Sequence, residues 1–128
     1  MAVKTILVID DEYLTRISLA DFLEEAGHNT TAVGDGNTAV QYQQEHPFDV
    51  CIVDIRIPGM DGIDTIAALH QISPHSRYII YTGSPQFVLT PALEKAGLTE
   101  DYVVRKPVPD MDLFLTLIEE LTHPEVED

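Results

Sequence analysis

Alternating strand and helix patterns predict a doubly wound α/β domain, a parallel sheet with helices on both faces. Three observations carry that expectation. Short apolar runs stop in a charged or hydroxyl residue at Asp10, Asp54, Thr82 and Lys106, the way buried parallel strands end at one sheet edge. Between them, apolar residues recur three and four positions apart, the spacing of amphipathic helices. The chain's 128 residues, 45% of them hydrophobic, suffice for one core covered on both sides.

Taken in order, the strands are expected at Thr5 to Ile9, Asn29 to Val33, Val50 to Val53, Tyr78 to Tyr81 and Tyr102 to Val104. Four are rich in β-branched or aromatic residues; the second is more polar and reads as more exposed. The first helix carries Leu19, Phe22, Leu23 and Ala26 at i, i+3, i+4 and i+7 and ends at Gly27. Asp35-Gly36-Asn37 turns the chain into a second helix running to about Glu45, ahead of Pro47. The third, from about Gly62 to Gln71, places Ile63, Ile66 and Ala67 on one face and stops before Ser73-Pro74. Pro91 fits only a first helical turn, so the fourth helix is short, capped by Thr90 and ended at Gly97. It leaves a loop, Gly83 to Leu89, whose large apolar residues need cover from this protein or a partner. Phe114, Leu117, Ile118 and Leu121 mark the fifth helix. Residues 1–122 are thus expected to form one domain, with 123–128 a solvated acidic tail.

The formal net charge is −15, with only seven scattered Lys and Arg. Nucleic acid binding draws most of its affinity from such cations, so no nucleic-acid partner is expected. The longest apolar runs are far shorter than the roughly 20 residues of a membrane span. With no room for a leader before the first strand, the expected location is the cytoplasm, with no membrane contact. The single cysteine, Cys51, lies in an expected core strand and rules out a disulfide framework or a thiolate metal cluster. The five histidines fall at helix ends, turns and the tail, where exposed histidines are common, and their spacing fits neither a relay nor zinc.

Right-handed crossovers and a flavodoxin-like strand order, 2-1-3-4-5, would bring the ends of strands one, three, four and five to one edge. Asp10, Asp11 and Asp54 would then meet there. Clustered carboxylates raise one another's pKa unless a cation joins them. Oxygen-only ligands favour Mg²⁺ or Mn²⁺, which keeps waters and takes a phosphate oxygen readily. Asp54, at the end of the central strand, is the expected nucleophile, because a carboxylate can form an acyl phosphate. Asp10 and Asp11 would hold the metal. The Thr82 hydroxyl and the Lys106 ammonium would balance charge on the transferred group. An X-Pro bond follows the lysine, and the sequence leaves its isomer open.

With these residues the chain resembles the receiver domain of bacterial response regulators in its stand-alone, chemotaxis-regulator-like form. The likeness runs from Lys4 to about Leu121. It is most specific over Val53-Asp54-Ile55-Arg56-Ile57-Pro58-Gly59-Met60-Asp61-Gly62. The resemblance implies that Asp54 accepts a phosphoryl group from a histidine kinase or a histidine phosphotransfer protein. It also implies that the backbone carbonyl of Arg56 completes the metal shell and that the acyl phosphate hydrolyses slowly by self-catalysis. Such a protein is a signalling phosphoacceptor rather than an enzyme with its own substrate. The signal leaves through a downstream protein partner or onward phosphorelay.

The family's signalling shift moves Thr82 toward the phosphate and turns an aromatic residue of strand five inward. That aromatic usually stands three positions before the lysine, where this chain has Val103; Tyr102 stands four before. Either strand five carries an extra residue, with a bulge at Arg105, or the switch does not use Tyr102. Kinase docking in the family uses the first helix and the loop after strand five, here Leu14, Ile17 and Ser18 with Pro107, Val108 and Pro109. A monomer is the expected state. The competing reading is a pseudo-receiver that docks partners without phosphorylation. A small-molecule phosphatase of related chemistry would need an acid two positions after Asp54, where Arg56 stands.

Overall fold

The computed structural model describes residues 2–122, so the acidic tail, His123 included, lies outside the described residues. Five parallel strands, β1 (Thr5–Ile9), β2 (Asn29–Val33), β3 (Val50–Val53), β4 (Arg77–Thr82) and β5 (Val103–Arg105), form one sheet in the order β2-β1-β3-β4-β5. They alternate with α1 (Tyr13–Glu25), α2 (Gly36–Glu45), α3 (Gly62–Ile72), α4 (Pro91–Lys95) and α5 (Asp112–Thr122). This is the doubly wound architecture expected from the sequence.

The period of two along each strand divides the core into two layers. Leu7, Ile9, Cys51, Val53, Tyr78 and Ile80 face the α2, α3 and α4 side, against Ala39, Ile66, Leu69 and Leu93. Ile6, Val8, Val50, Ile52, Ile79, Tyr81 and Val104 face the α1 and α5 side, against Leu19, Leu23, Phe114, Leu117 and Ile118. Because β1, β3 and most of β4 are covered on both sides, they read as unbroken apolar runs, whereas edge strand β2 is mostly half-buried or exposed. Cys51 is fully buried, and burial pushes its thiol pKa far up, so it is an inert core residue.

Caps set the helix boundaries. Asp35, Asp61 and Thr90 accept backbone N–H bonds at the starts of α2, α3 and α4 from Thr38 (2.8 Å), Asp64 (2.9 Å) and Leu93 (3.3 Å). Gly27 and Gly97, after α1 and α4, take φ of 102° and 96°, which only glycine adopts at little cost.

Several expectations are corrected. Ala26 and Ala67 are exposed; the buried stripe of α3 is Gly62, Thr65, Ile66 and Leu69. The polar Thr65 reaches the core because its hydroxyl donates back to the Asp61 carbonyl at 2.7 Å. Strand β5 begins one residue later than expected. Tyr102 ends a one-turn 3-10 helix, Glu100–Tyr102, and Val103, Val104 and Arg105 pair in unbroken register with Ile80, Tyr81 and Thr82. The extra residue is taken up by that turn and not by a bulge at Arg105. His28 is 1% exposed instead of a surface residue, its Nδ1 accepting the Lys4 N–H at 3.0 Å.

At the end of the sheet where β3 and β4 begin, buried Gln43 joins three segments. Its amide donates to the Leu69 carbonyl (3.2 Å) and Ser76 Oγ (3.0 Å) and accepts from the Phe48 N–H (2.9 Å). That network secures the far end of the domain and leaves the other end for polar chemistry.

Candidate functional site

Strand register assembles the site. Ile9 is paired with Val53, so the residues that follow them, Asp10 and Asp54, leave the sheet side by side. The Asp54 N–H donates to the Ile9 carbonyl at 2.9 Å. One strand further along, Thr82 pairs with Arg105, and the Lys106 N–H donates to the Thr82 carbonyl at 2.8 Å. The four strand ends named by the sequence therefore meet at one edge. Gly62 closes the site from below: its N–H donates to the Ile55 carbonyl at 2.9 Å, drawing the first turn of α3 against the chain after Asp54.

The Lys106 ammonium is the local counter-charge. It donates to Asp10 Oδ2 at 2.8 Å and Asp54 Oδ2 at 3.1 Å, lies 3.9 Å from Glu12 Oε1, and stands 5.2 Å from the Tyr81 ring centroid. The second oxygens are also engaged. Asp10 Oδ1 accepts the Glu12 N–H at 2.9 Å and Asp54 Oδ1 accepts the Arg56 N–H at 3.2 Å. Burial opposes the Lys106 charge, yet the hydrogen bonds and negative charges of Asp10 and Asp54 outweigh it and hold the lysine pKa above its ordinary value. Burial of Asp10 outweighs the help of Lys106, and its carboxyl stays above the usual carboxylate range. The Lys106 ammonium therefore does not fully offset the cost of burying Asp10.

Asp10, Asp11 and Asp54 each offer an oxygen, all within 4.8 Å of one another. Like charges at about 4 Å cost roughly 4 kcal/mol per pair at an effective dielectric of 20. A hard divalent cation suits this donor set, because it takes oxygen ligands and supplies positive charge. The cluster opens into a cavity of about 560 Å³ lined by Asp11, Glu12, Asp54, Arg56, Thr82, Gly83, Ser84 and Lys106. A carboxylate with two further carboxylates on one side and an ammonium and a hydroxyl on the other is equipped to receive an electrophilic phosphoryl group.

The expected residues Asp11, Asp54, Arg56, Thr82 and Lys106 all line this cavity, with Asp10 directly behind them. Tyr102 does not line it; it is half-buried and packs against both core layers. Leu14 and Ser18 are exposed and line a 240 Å³ groove with Thr15, Leu19, Tyr81 and Met111. Ile17 is half-buried outside that lining. Pro107 and Pro109 are exposed, and Val108 packs on the α1 and α5 layer. The Lys106–Pro107 peptide is cis. Sequence reasoning missed Glu12, Ser84 and the close contact made by Gly62. Adjacency to the Asp pair and to Thr82 was a signal for the first two; only the fold reveals the third.

The response regulator receiver domain family model matches residues 6–118. The chain is 30% identical to the chemotaxis protein CheY of Thermotoga maritima, over 80% of this chain and 85% of that one. It is also 30% identical to the transcriptional regulatory protein PdtaR of Mycobacterium tuberculosis, over 97% of this chain but only 62% of the relative's length. A solved receiver domain protein from Clostridium thermocellum superposes with a TM-score of 0.81 at 26% identity, over 93% of this chain and 94% of that one.

Proposed function

Because the chain belongs to the response regulator receiver domain family, we propose that it is a phosphorylation-driven signalling switch with Asp54 as its phosphoacceptor. The observation that supports this most is the convergence of Asp10, Asp54 and Lys106 through hydrogen bonds of 2.8 and 3.1 Å, with Thr82 on the same cavity.

In this reading a carboxylate oxygen of Asp54 forms a bond to phosphorus as the phosphorus–nitrogen bond of a donor phosphohistidine breaks, and the electron pair leaves with the imidazole. Lys106 and Thr82 take up charge on the phosphoryl oxygens, the lysine by exchanging its Asp54 contact for the new group. Asp10, Asp11, Asp54 and the Arg56 carbonyl would hold Mg²⁺ or Mn²⁺, which supplies further charge balance when bound. Hydrolysis by water at phosphorus returns the carboxylate and releases phosphate. Arg56 supplies no carboxyl to activate that water, in keeping with a signalling lifetime and not catalytic turnover.

The phosphodonor is a histidine kinase or histidine phosphotransfer protein, received on the groove around Leu14 and Ser18 with Ile17 and the segment Pro107, Val108 and Pro109 nearby. Output passes to a downstream protein, from a monomer in the cytoplasm. The charge of −15 argues against a nucleic-acid partner. Among the described residues no helix is long and apolar enough to cross a membrane.

Intact-protein mass after incubation with acetyl phosphate and Mg²⁺ tests the reading, wild type beside Asp54→Asn. One added phosphate that requires the metal and Asp54 is the expected result. No addition, either from small donors or from a phosphohistidine protein, would replace the switch by a docking module.

A further inference from the structure

Arg105 stands between the site and the loop that follows β4, and it touches neither Asp54 nor the metal-ligating carboxylates. Its side chain emerges on the face opposite Val104, the side covered by α4. From there Nη1 donates to the Ser84 carbonyl at 3.2 Å and Nη2 to the Phe87 carbonyl at 3.1 Å, with Glu100 Oε1 3.8 Å from Nη2. The loop is thus held at two points, by the guanidinium and by the Phe87 ring, which is 8% exposed within the α2, α3 and α4 layer. The Ser84 N–H in turn donates to Thr82 Oγ1 at 3.1 Å. A hydroxyl that accepts through a lone pair keeps its own proton free to donate. Thr82 lines the cavity beside Asp54, so that proton is available to a group arriving there.

We infer that Arg105 is a positioning residue for phosphoryl transfer at Asp54: its guanidinium clamps the loop after β4 through the Ser84 and Phe87 carbonyls and so holds the Ser84 N–H that orients the Thr82 hydroxyl. This rests on the phosphoacceptor reading above. The planar fork of arginine reaches two carbonyls three residues apart, which the single ammonium of a lysine does not. Arg105, in β5, is also the register partner of Thr82 in β4, so the clamp starts from a residue directly beside the hydroxyl it serves.

A double-mutant cycle tests the inference. Phosphorylation rates with acetyl phosphate at saturating Mg²⁺ are compared for wild type, Arg105→Ala, Thr82→Ala and the double variant, with Arg105→Lys as the conservative control. Arg105→Ala is expected to slow phosphorylation about five- to tenfold, the equivalent of one hydrogen bond lost at the transition state. Arg105→Lys should fall between, and the double variant should be no slower than Thr82→Ala, because both losses act through one hydroxyl. Phosphorylation of Arg105→Ala at the wild-type rate, or losses that multiply, would overturn the clamp while leaving Asp54 as phosphoacceptor intact. If wild type takes no phosphate from acetyl phosphate or from a phosphohistidine protein, the phosphoacceptor reading fails instead. Amide hydrogen exchange then judges the clamp in unmodified protein: several-fold faster exchange of the Ser84 amide in Arg105→Ala supports it, and unchanged exchange overturns it.

Discussion

A Cβ placed on Gly62 would lie 2.5 Å from the carbonyl oxygen of Asp54 and 2.6 Å from the Cα of Ile55. Both are backbone atoms, so no side chain can swing aside. Alanine normally favours a helix over glycine by about 1 kcal/mol, but here overpacking of about 1–3 kcal/mol opposes it. Gly62→Ala should therefore destabilise the protein in urea and slow phosphorylation of Asp54. Equal or greater stability would show that α3 is free to move off the site.

The crowded acids at the site work against folding when no metal is present. Asp54→Asn should stabilise the metal-free protein by about 1 kcal/mol, since it removes one charge from a buried cluster. Saturating Mg²⁺ at 100 times its dissociation constant should stabilise wild type by about 2.7 kcal/mol, and the order of the two proteins should then reverse. Urea titrations in EDTA and in Mg²⁺ measure both.

Lys106→Ala leaves Asp10 and Asp54 without their ammonium. The variant should be less stable than wild type in EDTA and should bind Mg²⁺ more tightly, because the cation meets no competing ammonium. It should still take a phosphoryl group, more slowly, and fail to pass the change on to a partner. An intact phosphorylation-dependent response would contradict the role given to the lysine.

Buried His28 predicts a pH dependence unrelated to the site. Burial lowers its pKa, with the Lys4 charge adding and the Glu119 charge opposing. Below about pH 6.5 the unfolded chain binds a proton that the folded chain resists, so stability falls as pH drops from 6.5 through the lowered value. His28→Asn, which keeps an acceptor for the Lys4 N–H, should lose that slope. Identical slopes in the two proteins would place the histidine's proton equilibrium elsewhere.

Gln43→Leu should cost about 2–3 kcal/mol, as the Phe48 N–H, the Leu69 carbonyl and the Ser76 hydroxyl lose a buried partner. Phosphorylation of the folded fraction should not change, because the network lies at the other end of the sheet. A matching loss of phosphorylation would mean that the two ends of the domain communicate.

Most of the fold was legible because strand and helix periods differ and the ends of strands carry their own chemistry. Asp10, Asp54 and Thr82 could be named from sequence because each ends an apolar run, and Lys106 because it follows the last one next to Pro107. Positions were misread or left unread for two reasons, side chains too small to compel burial and burial by a partner distant in sequence. Ala26 and Ala67 fit an apolar stripe but have side chains too small to compel burial. His28 is buried by the start of β1, and Gln43 by segments at 48, 69 and 76. The Arg105 clamp was invisible for the second reason, since a charged residue at a strand end reads as solvated until the loop it grips is placed.

The one-turn helix at Glu100–Tyr102 acts as a length buffer. Adding or removing a residue within β5 would exchange the layers met by Val104 and Arg105 and carry Lys106 away from Asp54. A residue gained before the strand is taken up in a turn outside the sheet, and the pairing of β5 with β4 is kept. Chain length between Gly97 and Val103 can therefore drift while the distance that matters, ammonium to carboxylate, stays the same.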